Sequence, residues 1–181
     1  MGNSLLIPGP SSTPHTLFWH VRSIGSSALC EALMGQQNDP RLQLEAVIKH
    51  LRDGFDGLRA EAQAEGHLFV ERLFTDWVSH ASRFDREGEA LLAARVNGVL
   101  AGIGGITIEP VIPGAMRMRR FYIRPVFRRN RVGHQLATAL LNRVGAGWPI
   151  TVNAAPASFS FWESLGFIPD PRDGHTHILV R

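Results

Sequence analysis

The sequence predicts an α+β domain with a single mixed, mostly antiparallel sheet flanked by helices. The first sign is a hairpin, because Asn97-Gly98 separates two apolar runs and favours a two-residue type I′ turn. The second is a pair of strand–helix units, Met116–Ile123 with Val132–Val144 and Ile150–Asn153 with Ala157–Leu165. At 181 residues the chain can form one domain with a substantial core, but not two of ordinary size.

The front half of this domain is predicted to contain one strand and two helices. Alternating apolar residues from Leu42 to Ile48 predict the strand, and a helix from Phe55 to Glu65 ends at Gly66. Apolar residues then recur at helical spacing, which predicts a second helix: Phe69, Leu73, Trp77, Val78 and Ala81. Its aromatic side chains, Phe69 and Trp77, are expected in the core.

The hairpin and the segments after it complete the sheet. Its strands are Ala90–Val96 and Val99–Ile108, and further strands are expected near Phe167 and over His177–Val180. Three glycines in the second hairpin strand indicate a bulge or a close backbone approach, because glycine otherwise weakens a strand: Gly102, Gly104 and Gly105.

Residues 1–40 are predicted to form a partly mobile extension before a domain over residues 41–181. Residues 1–16 are rich in Pro, Gly and Ser, which favours a mobile tail. One short helix is expected from Ser23 to Met34, and the run from Gly35 to Pro40 is a break before the domain.

The composition predicts a soluble cytoplasmic protein. Hydrophobic residues make up 44% of the chain and charged residues 19%. No apolar run approaches the length of a membrane span, and no basic segment precedes an apolar one at the start, so we expect neither an anchor nor a signal peptide. Cys30 is the sole cysteine, which excludes an internal disulfide and fits a reducing compartment.

Charge is distributed unevenly along the chain, although the net charge is only +3. Residues 1–110 carry 9 basic and 13 acidic side chains, whereas residues 111–181 carry 10 basic and 3 acidic ones. The following seven arginines, which we call the arginine stripe, fall within fifteen residues that contain no acid: Arg117, Arg119, Arg120, Arg124, Arg128, Arg129 and Arg131. We expect part of the stripe to meet an anionic ligand, and the acidic front half to attract a cationic one.

The junction after the Met116–Ile123 strand is typical of an anion-binding site. A basic loop, Arg128-Arg129-Asn130-Arg131, leads directly into a helix that begins with Val132-Gly133-His134. The first N–H groups of a helix have no intrahelical acceptor and lie at its positive end. Between arginines, such a site suits a phosphate or pyrophosphate.

Residues 128–133 resemble the acyl-CoA loop of the Gcn5-related N-acetyltransferases (GNAT), whose pattern is (Arg/Gln)-x-x-Gly-x-(Gly/Ala). Arg128 fills the first position and Gly133 the last, but Arg131 stands where the middle glycine is usual. Further along, Phe161-Trp162-Glu163-Ser164-Leu165-Gly166-Phe167 resembles the family's Phe-Tyr-Glu-Lys-Leu-Gly-Phe. Segments between Glu65 and Leu91 extend the likeness, which covers residues 42–181.

This resemblance implies direct acetyl transfer from acetyl-CoA to the amine of a small molecule or a protein, without a metal or a covalent enzyme intermediate. It also implies that the Met116–Ile123 and Ile150–Asn153 strands splay apart and free backbone groups for the pantetheine arm. Asn153 could equally be a turn-forming residue. The residues implied to bind CoA are Phe121, Tyr122, Ile123, Arg128, Arg129, Asn130, Arg131, Val132, Gly133, His134 and Asn153.

The resemblance leaves the acid and the base of the reaction open. Trp162 replaces the family's usual tyrosine, and an indole N–H can donate a hydrogen bond but cannot act as an acid near neutral pH. Tyr122, the sole tyrosine, lies in the splayed strand and either lines the cleft or packs, so water is an alternative proton source. Glu109 is a candidate base, beside Glu89 and Asp85, although each is also typical of a surface carboxylate.

Two other functions stay open on the sequence alone. Arg131 and Trp162 depart from the family pattern, which would also suit a non-catalytic acyl-CoA-binding or regulatory module. A nucleic-acid-binding protein could use the arginine stripe, but it would need stacking aromatics there, and we expect Phe121, Tyr122 and Phe127 mostly in the core. No pattern identifies the acceptor amine, and a homodimer is neither predicted nor excluded.

Overall fold

The computed structural model describes residues 41–172 and 174–180 of the chain. The predicted N-terminal extension over residues 1–40, with its helix from Ser23 to Met34, lies outside the described residues. The described residues form one mixed seven-stranded sheet with helices packed on its faces, so the predicted fold class is confirmed. Over these ranges no helix has the length and hydropathy needed to span a bilayer.

The sheet has the order β1-β2-β3-β4-β5-β7-β6, and every neighbouring pair is antiparallel except β4 and β5. The strands are β1 (Leu42–Ala46), β2 (Ala90–Val96), β3 (Val99–Ile108), β4 (Met116–Ile123), β5 (Ile150–Val152), β6 (Ile168–Pro169) and β7 (His177–Leu179). The helices are α1 (Phe55–Ala64), α2 (Leu68–Val78), α3 (Val132–Leu141) and α4 (Phe159–Glu163), with short 3-10 turns at Pro125–Phe127 and Pro156–Ser158.

The core consists of two clusters, one on each face of the sheet. α3 and α4 supply Leu136, Leu140 and Trp162 to the first cluster. α1 and α2 supply Leu58 and Leu73 to the second. These two sets of apolar contacts hold the helices against opposite faces of the sheet and leave the ends of the central strands accessible.

Two of the residues at helical spacing, Val78 and Ala81, lie outside the core. Val78 is 60% exposed, and Ala81 is exposed beyond the end of α2. The helix buries Val70, Leu73 and Trp77 instead, and positions three or four apart lie on one face of a helix.

The turn of the β2–β3 hairpin and the glycines of β3 have the geometry that the sequence predicts. Asn97 and Gly98 both have positive φ, 50° and 81°, as a type I′ turn requires. A Cβ added at Gly105 would lie 2.3 Å from Cε1 of Phe84, and one added at Gly104 would lie 2.6 Å from Cδ2 of Phe121. The glycines of β3 therefore make room for aromatic rings that lie directly on the strand.

Candidate functional site

The two central parallel strands separate after a short stretch of pairing. β4 and β5 form three residue pairs, the last joining Met118 and Val152. Beyond it, the Val152 carbonyl accepts a hydrogen bond from the Thr176 N–H (2.9 Å), on the side away from β4. β4 continues for five more residues with no partner strand on its β5 side among the described residues, so its backbone groups there face a cleft. Asn153 is exposed at the mouth of this cleft.

A bulge in β4 sets the direction of the side chains beside the cleft. Pairing with β3 joins Gly105 to Arg119 but Ile103 to Tyr122, so β4 contains one extra residue opposite Gly104. Arg120, in the bulge, has a φ of 55°. After the bulge, the ring of Tyr122 joins the cluster that contains α1 and α2. The neighbouring Phe121 and Ile123 pack instead against the cluster that contains α3 and α4.

The loop after β4 presents unpaired backbone donors at the start of α3. The first helical hydrogen bond runs from the Gln135 N–H to the Arg131 carbonyl, at 3.0 Å. The N–H groups of Val132, Gly133 and His134 therefore have no backbone acceptor within the described part of the chain. Asn130 is exposed in the same loop. Together with the helix dipole, these donors form an anion-binding position.

Arg131 shows how the loop tolerates a side chain where the family usually has glycine. Its φ is 57°, in the left-handed region that glycine adopts without strain. The residue is exposed, so its side chain extends into solvent while the backbone keeps this turn. Arg129 is also exposed and has a φ of 66°. The loop thus keeps a glycine-like backbone path and adds two positive charges beside it.

Arg128 and Arg124 are held by carboxylates of α1 and of the residue that follows it. Two nitrogens of Arg128 donate to the Glu65 carboxylate at 2.8 and 2.5 Å, and its Nε donates to the Ile123 carbonyl at 2.9 Å. Arg124 donates to the Glu61 carboxylate at 2.9 and 2.5 Å. Arg128 is therefore engaged with the protein, and the unpaired positive charges of the loop are those of Arg129 and Arg131.

Aromatic side chains form the wall of the cleft beneath the loop. The ring centroid of Trp162 lies 5.2 Å from that of Phe121, 5.0 Å from that of Phe161 and 5.4 Å from that of Phe167. A Cβ added at Gly133 would lie 3.4 Å from both Ile123 and Phe161. The wall thus lies directly under the donors at the start of α3. Trp162 is buried, and its indole N–H has no hydrogen-bond partner among residues 41–172 and 174–180.

His134 lies at the rim of this wall. Its imidazole ring makes an edge contact with Phe161, with 6.2 Å between ring centroids. The side chain itself is exposed. Phe121 and Ile123 of β4 and the first residues of α3 therefore lie around one cleft, and Asn153 follows β5 across it.

Tyr122 lies on the other side of the strand from this wall. Its ring is buried, and its hydroxyl donates to Glu65 Oε2 at 2.7 Å. Burial and the adjacent Glu65 carboxylate raise the pKa of the Tyr122 hydroxyl well above its usual value. A phenol held in this way is a poor proton donor at neutral pH, so its contacts favour a structural role.

Glu109 has surroundings that do not suit a general base. Its side chain is fully buried, and Arg117 donates to both carboxylate oxygens, at 2.6 and 3.0 Å. Thr151 and the Val111 N–H also donate, at 2.5 and 3.0 Å. Burial raises the pKa of Glu109, but these hydrogen bonds outweigh it and hold the pKa below its usual value. Both oxygens of Glu109 are therefore satisfied by the protein, which favours a structural role over that of a general base.

Two other carboxylates, Asp85 and Glu89, were candidates for the base from the sequence. Asp85 is exposed and makes no ion pair within the described ranges. Glu89 has a carboxylate that accepts the Ile108 N–H at 3.2 Å and lies 3.8 Å from Arg86. Across the described residues, no group of three or more His, Cys, Asp or Glu side chains could hold a metal ion.

Comparison with known proteins agrees with this geometry. A sequence model of the acetyltransferase (GNAT) domain matches residues 54–177. A protein from Exiguobacterium sp. 255-15 assigned as an acetyltransferase is 22% identical, with a TM-score of 0.68 over 77% of this chain and 93% of that one. An acetyltransferase from Streptococcus agalactiae 2603 is 13% identical, with a TM-score of 0.58 over 77% of this chain and 98% of that one.

A third solved structure contains acetyl-CoA. A mutant of the AtaT toxin, bound to the C-terminus of the antitoxin AtaR and to acetyl-CoA, is 15% identical, with a TM-score of 0.56 over 76% of this chain and 92% of that one. No curated protein matches the chain significantly. The structural likenesses show the fold, and the domain match covers more than half of the sequence. The chain therefore belongs to the GNAT family of acetyltransferases.

Proposed function

We propose that this protein is an N-acetyltransferase that moves the acetyl group of acetyl-CoA directly to an amine, in the cytoplasm. The observation that carries the proposal is the set of free N–H groups at the start of α3, next to a β4 strand that has lost its partner. Those donors suit a pyrophosphate, and an unpaired strand edge suits the amide groups of a pantetheine arm.

Each part of the cleft then has a binding role. The N–H groups of Val132, Gly133 and His134 would hold the pyrophosphate, and the exposed Arg129 and Arg131 would neutralise its charge. The backbone of β4 from Phe121 to Ile123 would accept and donate hydrogen bonds to the pantetheine arm, with the Asn153 side chain opposite. Arg128 contributes by fixing the loop to Glu65, and not by contact with the phosphate.

The proposed chemical step depends more on the positioning of the reactants than on a charged catalytic group. The lone pair of a neutral amine attacks the thioester carbon, the C–S bond breaks, and the amine loses a proton while the thiolate gains one. Trp162 can donate a hydrogen bond to the developing charge but has no acidic proton near neutral pH. The Tyr122 hydroxyl is bound to Glu65 and has a raised pKa. Water is therefore our proposed proton source for the thiolate.

A non-catalytic acyl-CoA-binding module is the second candidate, and one observation favours it. Both aromatic residues that the sequence offered as catalytic groups are buried in packing contacts, Trp162 in the cleft wall and Tyr122 against α1 and α2. This module would bind acetyl-CoA through the same loop but would transfer nothing. Nucleic-acid binding has less support, because Phe121 and Tyr122 pack inward and cannot stack on bases.

Calorimetric titration with acetyl-CoA, followed by thiol release across a panel of amines, tests the proposal. In Gly133→Val, the added methyl groups extend from a Cβ already 3.4 Å from Ile123 and Phe161, so the backbone that carries the N–H donors must shift to make room. We expect acetyl-CoA affinity to fall at least about tenfold, or about 1.4 kcal/mol. Gly57→Val is the matched control, because a Cβ there meets no atom within 4 Å.

The outcomes separate the candidates. Tight binding with thiol release on at least one amine supports the enzyme, and tight binding with no transfer to any amine supports the binding module. Unchanged affinity in a folded Gly133→Val variant would overturn the loop assignment. Melting curves of both variants establish that they are folded.

A further inference from the structure

Three arginines of the stripe lie at the bulged part of β4, close to the point where β5 leaves it. Arg117 contacts Glu109 at the end of β3, and Arg120 contacts Asp76 on α2. Arg119 follows Met118, the last β4 residue paired with β5, and lies opposite Gly105 in the β3 register. We call Arg117, Arg119 and Arg120 the β4 arginine cluster.

The cluster lies on the face of the sheet opposite α3. A Cβ at Gly105 would point at Phe84, which belongs to the core cluster of α1 and α2. Residues paired in an antiparallel register lie on the same face, so the Arg119 side chain leaves the sheet on that face too. An acceptor that approaches the cleft from the α1 and α2 side would therefore pass Arg119.

Two members of the cluster are neutralised and the third is not. Arg117 donates to Glu109 at 2.6 Å and to the Gly174 carbonyl at 2.9 Å, and Arg120 donates to Asp76 at 2.7 Å. Arg119 is exposed and makes no hydrogen bond or ion pair with any described residue. Partial burial of the Arg119 side chain and the charges of Arg120 and Arg117 lower its pKa, and the opposite effects of Asp76 and Glu109 are too small to offset them.

A second polar group on this face is also unsatisfied. Thr107 lies opposite Arg117 in the β3–β4 register, and therefore on the same face. It is 5% exposed, and its buried hydroxyl has no hydrogen-bond partner among the described residues. Buried polar groups are usually satisfied, so this orphan hydroxyl, two residues along β3 from the position opposite Arg119, points to a missing partner.

We infer that Arg119 is an acceptor-binding residue and that the acceptor is an amine carrying a carboxylate or phosphate group. The inference rests on the proposed acetyl transfer and names its substrate class. A guanidinium presents a planar set of donors that matches both anions, and it stays charged even with a lowered pKa. The amine end of such a molecule would extend past the last β4–β5 pair into the cleft, where the thioester is proposed to lie.

The inference replaces the expectation that the acidic front half attracts a cationic acceptor. Three acids near this region are already paired, Glu109 with Arg117, Asp76 with Arg120 and Glu65 with Arg128. A cation near Arg119 would meet its unpaired positive charge.

The test compares anionic amines with neutral counterparts of the same length. The pairs are glycine with glycinamide, β-alanine with β-alaninamide, and O-phosphoethanolamine with ethanolamine. The intact protein should give a kcat/KM at least about tenfold higher for the preferred anionic amine than for its counterpart. Arg119→Gln should raise KM for that amine at least about tenfold and leave acetyl-CoA affinity unchanged. Arg143→Gln, an exposed arginine just after α3, is the control and should change neither value.

A binding measurement separates this inference from the proposed acetyl transfer. In the presence of CoA, N-acetylglycine, N-acetyl-β-alanine and N-acetyl-O-phosphoethanolamine are titrated against their neutral analogues while the amide resonances of β4 are followed by NMR. Selective binding of an anionic ligand that Arg119→Gln abolishes supports the site even if turnover is absent. Equal or better use of neutral or cationic amines, or an Arg119→Gln variant that keeps its preference and its binding, overturns it.

Discussion

Replacing Glu65 by glutamine would test whether the CoA loop is fixed to α1 by charge. Glu65 receives two hydrogen bonds from Arg128, at 2.8 and 2.5 Å, and one from the Tyr122 hydroxyl at 2.7 Å. Glutamine keeps the size of the side chain and one acceptor oxygen, but it removes the negative charge. The variant therefore isolates the charge that joins the loop, β4 and the C-terminal end of α1.

The expected magnitude follows from the pKa of this carboxyl group. The hydrogen bonds from Arg128, helped by that from Tyr122, outweigh burial and lower the pKa of Glu65 from 4.5 to about 2. This difference corresponds to at most about 3.4 kcal/mol. The side chains of Glu65 and Arg128 are 30% and 42% exposed, so solvent screening reduces the net contribution to about 1 kcal/mol. We expect the melting temperature of Glu65→Gln to fall by about 2–4 °C at pH 7.

The stabilisation by Glu65 should depend on pH in a definite direction. Because folding lowers the pKa of Glu65, its stabilisation is fully present above pH 4.5 and is lost as the pH falls toward 2. Urea unfolding of both proteins should give a free-energy difference of about 1 kcal/mol at pH 7, and less than about half of that at pH 3.

The control is Glu87→Gln, since Glu87 is exposed and makes no ion pair within the described ranges. It should match the wild type at both pH values. A Glu65→Gln variant as stable as the wild type at pH 7, or a deficit equally large at pH 3, would refute the reasoning.

Three further substitutions test the cleft. Trp162→Tyr would place a phenol in the cleft wall. Thiol release should then rise, by up to the 10²–10⁴-fold range of acid–base assistance, with little change in acetyl-CoA affinity. Loss of acetyl-CoA binding would instead favour the binding module. Gly105→Ala would put a Cβ 2.3 Å from the ring of Phe84 and should cost about 1–3 kcal/mol in urea unfolding, whereas a neutral effect would show that the ring moves freely. Arg131→Gly should leave stability nearly unchanged, because relief of the strained left-handed backbone offsets the added freedom of the unfolded chain. The variant should lose more acetyl-CoA affinity at low salt than at high salt. An equal loss of affinity at all salt concentrations would contradict a charge contact.

Local sequence signals were enough to predict much of the fold. The Asn97-Gly98 turn fixed the hairpin register because few residues adopt two successive positive φ values. The start of α3 followed from the apolar periodicity after the basic loop, and the structure begins the helix at Val132 as predicted. Such features depend on neighbouring residues, so they are visible in the sequence without the rest of the chain.

The chemistry of the site depended on partners far away in the sequence, which is why it was predicted less well. In the sequence, Glu109 is a carboxylate at the end of a strand. Folding places Arg117 and Thr151 against it, and Thr151 lies 42 residues away in the chain. In the sequence, Arg128 is a predicted phosphate ligand. In the structure it binds Glu65, which follows α1 and lies 63 residues away in the chain. No local pattern identifies such pairs, although an acid-rich front half and an acid-free arginine stripe have the opposite charges that ion pairs between them require.

The arginine stripe is best understood by what folding leaves unpaired. Four of its seven members bind carboxylates from the front half of the chain: Arg117 with Glu109, Arg120 with Asp76, Arg124 with Glu61 and Arg128 with Glu65. Each pair ties β4 or its loop to another part of the domain. Arg129 and Arg131, in the loop, and Arg119, on the face of α1 and α2, have no such partner among the described residues. Positive charge is thus left at two places on opposite sides of the β4 cleft. A cation at each of those places suits the proposed reaction, in which a pyrophosphate-bearing thioester is joined to an anionic amine.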